Sequence, residues 1–141
     1  MEFLSGNFLC ETIVPKGELI VSRTDLKGNI TYANETFALI SGYEVDELIG
    51  RSHNIVRHPD MPKAAFKDLW ETVKSGNVWT GYVKNSTKSG NYYWVYATVF
   101  PTTIADGKKG FLSCRRKASR EEIEQHIRLY KELIEKEKIT K

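Results

Sequence analysis

Two histidines, an arginine and an aspartate fall within eight residues, in the run His53-Asn54-Ile55-Val56-Arg57-His58-Pro59-Asp60. Groups of this kind hold polar ligands or orient one another. Pro59 and Pro62 forbid regular backbone hydrogen bonding around them, so they belong to a loop. No nucleophile stands at a recognisable spacing from a base, which makes catalysis the least supported use of the cluster and the chain a non-enzyme.

The loop is joined to an element that must bury one side. After Pro62, the residues Phe66, Leu69, Trp70 and Val73 recur at i, i+3, i+4 and i+7, with Lys63, Lys67, Asp68, Glu71 and Lys74 opposite. That spacing predicts an amphipathic helix over about 63–74, stopped by Gly76. Upstream, 19–24 and 29–33 read as a hairpin about Asp25-Leu26-Lys27-Gly28, and Asn34 caps a short helix that Gly42 ends. A second short helix, 45–49, closes at Gly50. Downstream, strands over 79–86, 91–101 and 110–117 are separated by the turns Thr87-Lys88-Ser89-Gly90 and Ala105-Asp106-Gly107-Lys108.

The middle strand is apolar on both alternating faces, Tyr93, Val95, Ala97 and Val99 on one and Tyr92, Trp94, Tyr96 and Phe100 on the other. A sheet with one solvated side does not carry that pattern. One face is expected to cover an interior; the other is expected to meet the N-terminal lead-in or a second subunit. Ser119 with Glu122 signs a capping box for a last helix to about residue 136. Its stripe, Ile123, Ile127, Tyr130 and Ile134, fits a short coiled-coil seam, a connector, or a helix packed back on the domain.

Composition narrows the classes. The 141 residues suit one domain. Residues 1–114 hold 12 Lys+Arg against 12 Asp+Glu and residues 115–141 hold 9 against 6, so the net charge of +3 lies wholly in the tail. A neutral body argues against nucleic acid as a partner. Cys10 and Cys114 are too few for a disulfide framework or a cysteine-based metal site, which suits a cytoplasmic protein. No run approaches the ~20 apolar residues of a membrane span, and no signal peptide or direct membrane insertion is expected.

The order predicts an α+β fold: a five-stranded antiparallel sheet with short helices and one longer helix on one face. A lead-in (1–18) and a C-terminal connector helix (119–141) flank the domain (19–118). Its residues carry a resemblance. Thr24-Asp25, Gly28-Asn29-Ile30-Thr31-Tyr32-Ala33-Asn34, Phe37, Ser41-Gly42-Tyr43, Glu47-Leu48-Ile49-Gly50, Lys88-Ser89-Gly90 and Tyr93-Trp94-Val95 resemble a PAS sensor domain. His53-Asn54, the run Val56-Arg57-His58-Pro59-Asp60-Met61-Pro62, Ala65-Phe66 and Trp70 are similar to the PAS domain of aerotaxis and energy-taxis receptors.

The resemblance implies non-covalent FAD between the sheet and the long helix, sensing of redox state or oxygen, and signalling to a chemotaxis transducer in the same longer chain or in a separate membrane protein. A homodimer through the outer sheet face or the last helix is a further expectation. Asn85 matches the asparagine that holds the polar edge of the flavin ring, since an amide both donates and accepts; its alternative is a strand-end turn residue. Arg57, His58 and Asp60 match the family's flavin-dependent loop. There Arg57 and His58 would meet pyrophosphate or ribose, and Asp60 would equally serve by orienting either. Asn34 is a helix cap or a ligand contact, and His53 a ring neighbour or a structural donor. Trp79 flanks the cofactor or fills the core, while Trp70, Phe66 and Leu69 read first as packing. Strand alternation puts Phe111, Ser113 and Arg115 on one face, and if that face is inward the guanidinium favours an anionic reduced ring; a one-residue slip puts Arg115 on the surface. No cysteine lies in 51–58 to form a flavin adduct, which excludes blue-light chemistry of that kind. The alternatives are a haem-binding PAS domain using His53 or His58, and a cofactor-free interaction module.

Overall fold

Asp25 shapes the first hairpin by accepting the Lys27 and Asn29 backbone N–H groups, each at 2.9 Å, while Gly28 takes the positive φ the turn needs. The strands it joins are β1 (Ile20–Asp25) and β2 (Ile30–Ala33) in a computed structural model describing residues 10–103 and 105–139. Asn34 then caps α1 (Glu35–Ser41), its Oδ1 accepting from Phe37 N at 3.0 Å, and Gly42 ends the helix in the left-handed conformation. The short α2 (Val45–Leu48) and a single 3-10 turn (His53–Val56) lead through the proline loop to α3 (Lys63–Lys74). Strands β3 (Trp79–Ser86), β4 (Tyr92–Thr103) and β5 (Lys109–Lys117) and helix α4 (Arg120–Ile139) complete the chain.

The five strands form one antiparallel sheet in the order β2-β1-β5-β4-β3. The last strand therefore lies at its centre between β1 and β4. Its register sets Arg115 opposite Ile20 on one side and Ala97 on the other, all three buried. Phe37, Leu48, Val56 and Val73 cover this inner face, so the α+β architecture is as expected.

The outer face meets the lead-in, as expected, and also the last helix. Helix α4 folds back across the sheet: Tyr130 stacks on Trp94 with ring centroids 6.1 Å apart, and His126 lies 4.2 Å from Tyr82. The Tyr130 hydroxyl donates to Tyr82 O at 2.6 Å. Residues 10–14 cover the rest, with Tyr92 N donating to Cys10 O and Thr12 N to Tyr92 O. The start of the predicted lead-in, residues 1–9, lies outside the described residues. Within this chain, α4 and residues 10–14 thus cover much of the outer aromatic face. The stripe on α4 is uneven: Ile123 and Tyr130 are buried, Ile134 half-buried, and Ile127 is 44% exposed. Packing back on the domain is therefore what this helix does.

Candidate functional site

The inner face of the sheet and α3 do not close fully on each other. Between them lies a cavity of about 90 Å³. Val83, Ala97 and Val99 form its sheet side and Phe66, Leu69 and Trp70 its helix side, so two apolar walls face each other across a slot. Thr24, Phe111 and Ser113 border it from β1 and β5, and His53, Asn54 and Arg57 from the loop. Gly28, at the hairpin turn, leaves room for Trp70, whose ring lies 3.4 Å from where a Cβ would stand.

One end of this slot is polar and dry. Arg115 is 2% exposed and lines the cavity, as the alternation Phe111, Ser113, Arg115 predicts for an inward face. Its Nη2 donates to Ser22 Oγ at 2.8 Å and its Nη1 lies 3.0 Å from His53 Nε2. Ser22 Oγ is itself 3.1 Å from that same nitrogen. A guanidinium only donates, so His53 Nε2 is an acceptor, the Ser22 hydroxyl donates to it, and the imidazole proton sits on Nδ1. Phe37 backs the group, stacked on His53 at 5.6 Å and facing the guanidinium carbon at 4.6 Å.

The electrostatics follow from this packing. As a residue His53 is only partly covered, but its ring is held inside the cluster, and the ring's surroundings decide its ionisation. Burial, and then the adjacent Arg115 charge, lower its pKa to about 3, so it is neutral at physiological pH. Burial also lowers Arg115 to about 10, which leaves it charged. Among the described residues no carboxylate lines the cavity. Among the described residues the Arg115 Nε has no hydrogen-bond partner, nor does the Tyr93 hydroxyl, whose pKa burial pushes up to about 12. The Asn85 side chain is 4% exposed, borders the cavity and lies beside that hydroxyl. A cation and two unpaired donors, all out of water, are costly unless something else completes them.

The remaining loop residues sort themselves by direction. Arg57 stays at the cavity mouth with its guanidinium 4.0 Å above the Phe66 ring, and its backbone bridges to Asn85 on the outer edge of β3. His58 is buried but faces an outer groove, and its Nδ1 accepts the Asp60 N–H at 2.9 Å. Burial and the neighbouring Lys84 charge lower its pKa, against the opposing pull of Asp60. With Nδ1 already an acceptor, its 3.8 Å approach to the Asp60 carboxylate is no hydrogen bond. Asp60 instead pairs with Lys84 at 2.9 Å, which holds its carboxyl below the usual range. Neither His58 nor Asp60 borders the cavity.

Two further candidates also stand apart from it. All polar atoms of the Asn34 side chain are engaged in structure: Oδ1 accepts from Phe37 N and Val21 N, and Nδ2 donates to Leu19 O. Trp79 is buried, donates from Nε1 to Asp68 at 2.8 Å, and lies over Gly81, where a Cβ would come within 2.5 Å of the ring. Conversely, Phe66, Leu69 and Trp70, first read as packing, are cavity walls. Ser22, Thr24 and Tyr93 were not singled out by residue pattern. Two hydroxyl residues on the buried phase of β1, after Ile20, were the available signal.

Residues 30–115 match the family profile described as PAS fold. The chain belongs to the PAS family. This PAS domain is 51% identical over 115 residues to the aerotaxis receptor of Escherichia coli K12, a match covering 81% of the chain and 22% of that receptor. It is 27% identical over 126 residues to the nitrogen fixation regulatory protein of Klebsiella pneumoniae, covering 88% of the chain and 26% of that protein. The chain therefore spans about a quarter or less of the length of these relatives. Among solved structures it is similar to a PAS domain from Colwellia psychrerythraea, with TM-score 0.63, 22% identity and coverage of 72% of this chain and 87% of that one. A light-oxygen-voltage domain studied with a flavin analogue gives TM-score 0.62 at 20% identity, covering 87% of both chains. Both likenesses support the PAS fold. Among the described residues no helix is long and apolar enough to cross a membrane, and no group of three or more His, Cys, Asp or Glu stands ready for a metal ion.

Proposed function

We propose that this PAS domain binds a flavin, FAD in the finer reading, in the slot between the sheet and α3, and serves as a redox or oxygen sensor in taxis signalling. The carrying observation is the polar end of the slot: a buried Arg115 with its Nε unpaired, no carboxylate among the described residues that line the cavity, and Asn85 and the Tyr93 hydroxyl alongside. A flat ring with a hydrogen-bonding edge is the ligand chemistry that apolar walls and such an end complement. Bound there, a flavin supplies reversible electron uptake with a change in charge and protonation at its polar edge. Arg115 favours the more negative state of whatever it faces, and Asn85 can exchange donor for acceptor by turning its amide. At about 90 Å³ the closed slot is tighter than a three-ring ligand, so binding requires its apolar walls to part, with Arg57 and Phe66 on the side that borders the loop.

The route outward is short. Asn85 and Tyr82 share β3, and Tyr82 O holds the Tyr130 hydroxyl of α4. A change of partners at Asn85 shifts the strand on which α4 is docked. Support for a transducer as the receiver comes from the similarity to an aerotaxis receptor, of which this chain covers a small part. The PAS domain would then face the cytoplasm. Haem is the weaker ligand here, because His53 Nε2 already accepts two hydrogen bonds and His58 faces away from the slot.

An absorption spectrum of the purified protein, followed by heat release and chromatography of the chromophore, tests this directly. Flavin bands and released FAD are expected, whereas a Soret band points to haem. Protein that stays colourless after saturation with added FAD and FMN ends the proposal. Arg57→Ala is expected to lose most of the yellow colour while keeping its far-ultraviolet circular dichroism.

A further inference from the structure

The slot shares a wall with a surface groove. Asn54 and Arg57 border both the slot and this groove, which has about 860 Å³ and lies between the start of α3 and the end of α4. Charge in that groove is one-sided. Among the described residues Arg57, Lys63, Lys67 and Lys138 line it with one acid, Glu137. Glu137 is committed to structure: its carboxylate accepts the Lys63 N–H at 3.1 Å and the Ala64 N–H at 2.9 Å, on a helix whose N-cap position holds Pro62 and no capping side chain. These bonds fix the last turns of α4 beside the loop and make it the far wall. Met61 and Ile134 add apolar surface between the cations.

We infer that this groove takes the adenosine diphosphate half of the dinucleotide, so that α4, beyond the last strand of the fold, selects FAD over shorter flavins. This rests on the flavin reading above. A ring in the slot whose chain leaves by the Asn54–Arg57 seam has this groove as its continuation. Pyrophosphate meets cations there, and a purine meets Met61 and Ile134. Riboflavin reaches none of this and FMN only its entrance. Lys63 and Lys138 are then specificity residues on two different helices, brought together by the Glu137 bonds.

The test is a fluorescence titration of flavin-stripped full chain with riboflavin, FMN and FAD, in wild type and in Lys63→Glu/Lys138→Glu. The double variant is expected to bind FAD about tenfold more weakly, the size of one lost charge-assisted contact to phosphate, with riboflavin unchanged. Added salt should weaken FAD binding to wild type more than riboflavin binding. Equal loss for all three flavins, or no loss for any, overturns the groove assignment while leaving the ring site intact. A wild type that binds none of the three overturns the flavin reading itself. Should the double variant fail to fold by circular dichroism, Lys138→Ala decides with the same readout, a smaller but FAD-specific loss being expected.

Discussion

The two faces of the sheet are finished in opposite ways, the outer one being the richer in aromatic side chains. On the outer face the chain answers its own side chains: Tyr130 stacks on Trp94, and its hydroxyl donates to Tyr82 O. On the inner face, Arg115 Nε and Tyr93 Oη are buried without partners beside a slot. The outer face closes on itself, and the inner face leaves polar atoms for the proposed ligand to complete. A protein evolving only for stability would replace a buried unpaired guanidinium with an apolar side chain. The cost of keeping it is what the proposed ligand on the inner face would offset.

The contrast can be broken first from the outside. Tyr130→Ala removes a buried aromatic and its hydrogen bond, and is expected to cost ~3 kcal/mol or more in urea denaturation. A loss under ~1 kcal/mol would mean that α4 does not stay docked in solution. Next comes pH. The unfolded His53 takes up a proton near pH 6.5 that the folded one refuses until about pH 3, so the unfolded state binds more protons throughout that window. Stability is full above about pH 6.5 and falls as pH drops toward 3, by roughly 2 kcal/mol on reaching pH 5. His58, also lowered, acts in the same direction. His53→Asn should flatten most of the slope between pH 7 and 5, and an unchanged slope would assign it elsewhere.

Smaller effects sharpen the comparison. Glu137→Ala leaves two N–H groups at the start of α3 without the carboxylate and is expected to cost ~1 kcal/mol, read as a lower melting temperature. The smallest change is expected at the most buried charge. Arg115→Met leaves Ser22 and His53 bonded to each other, so stability should stay within ~1 kcal/mol of wild type while flavin binding weakens. Strong destabilisation without loss of flavin would reverse the roles assigned to the two faces.

Some of the site was readable from local pattern and some was not. Arg115 follows from strand alternation, because a period of two leaves one choice of face once Phe111 is known to be buried. The loop defeated the same approach. His53 and Arg57 turn inward while His58 and Asp60 turn outward, across a 3-10 turn and an X-Pro step that have no side-chain period to read. Asn34 was ambiguous for another reason: a cap and a ligand contact ask for the same amide, and here the backbone of β1 and α1 uses all of it.

The chain by itself determined its punctuation and its stripes. Pro62 and Gly76 bracket α3 at Lys63–Lys74, Asn34 and Gly42 bracket α1, and turn residues join β1 to β2, β3 to β4 and β4 to β5, because capping and turn chemistry act over a few neighbouring residues. Only the tertiary structure decided that α4 folds back over Trp94 and Tyr82, that its Glu137 caps α3 some seventy residues earlier, and that Ser22, His53 and Arg115 share one dry cluster. Those contacts join distant parts of the chain, and their energy exists only once the sheet has brought them together.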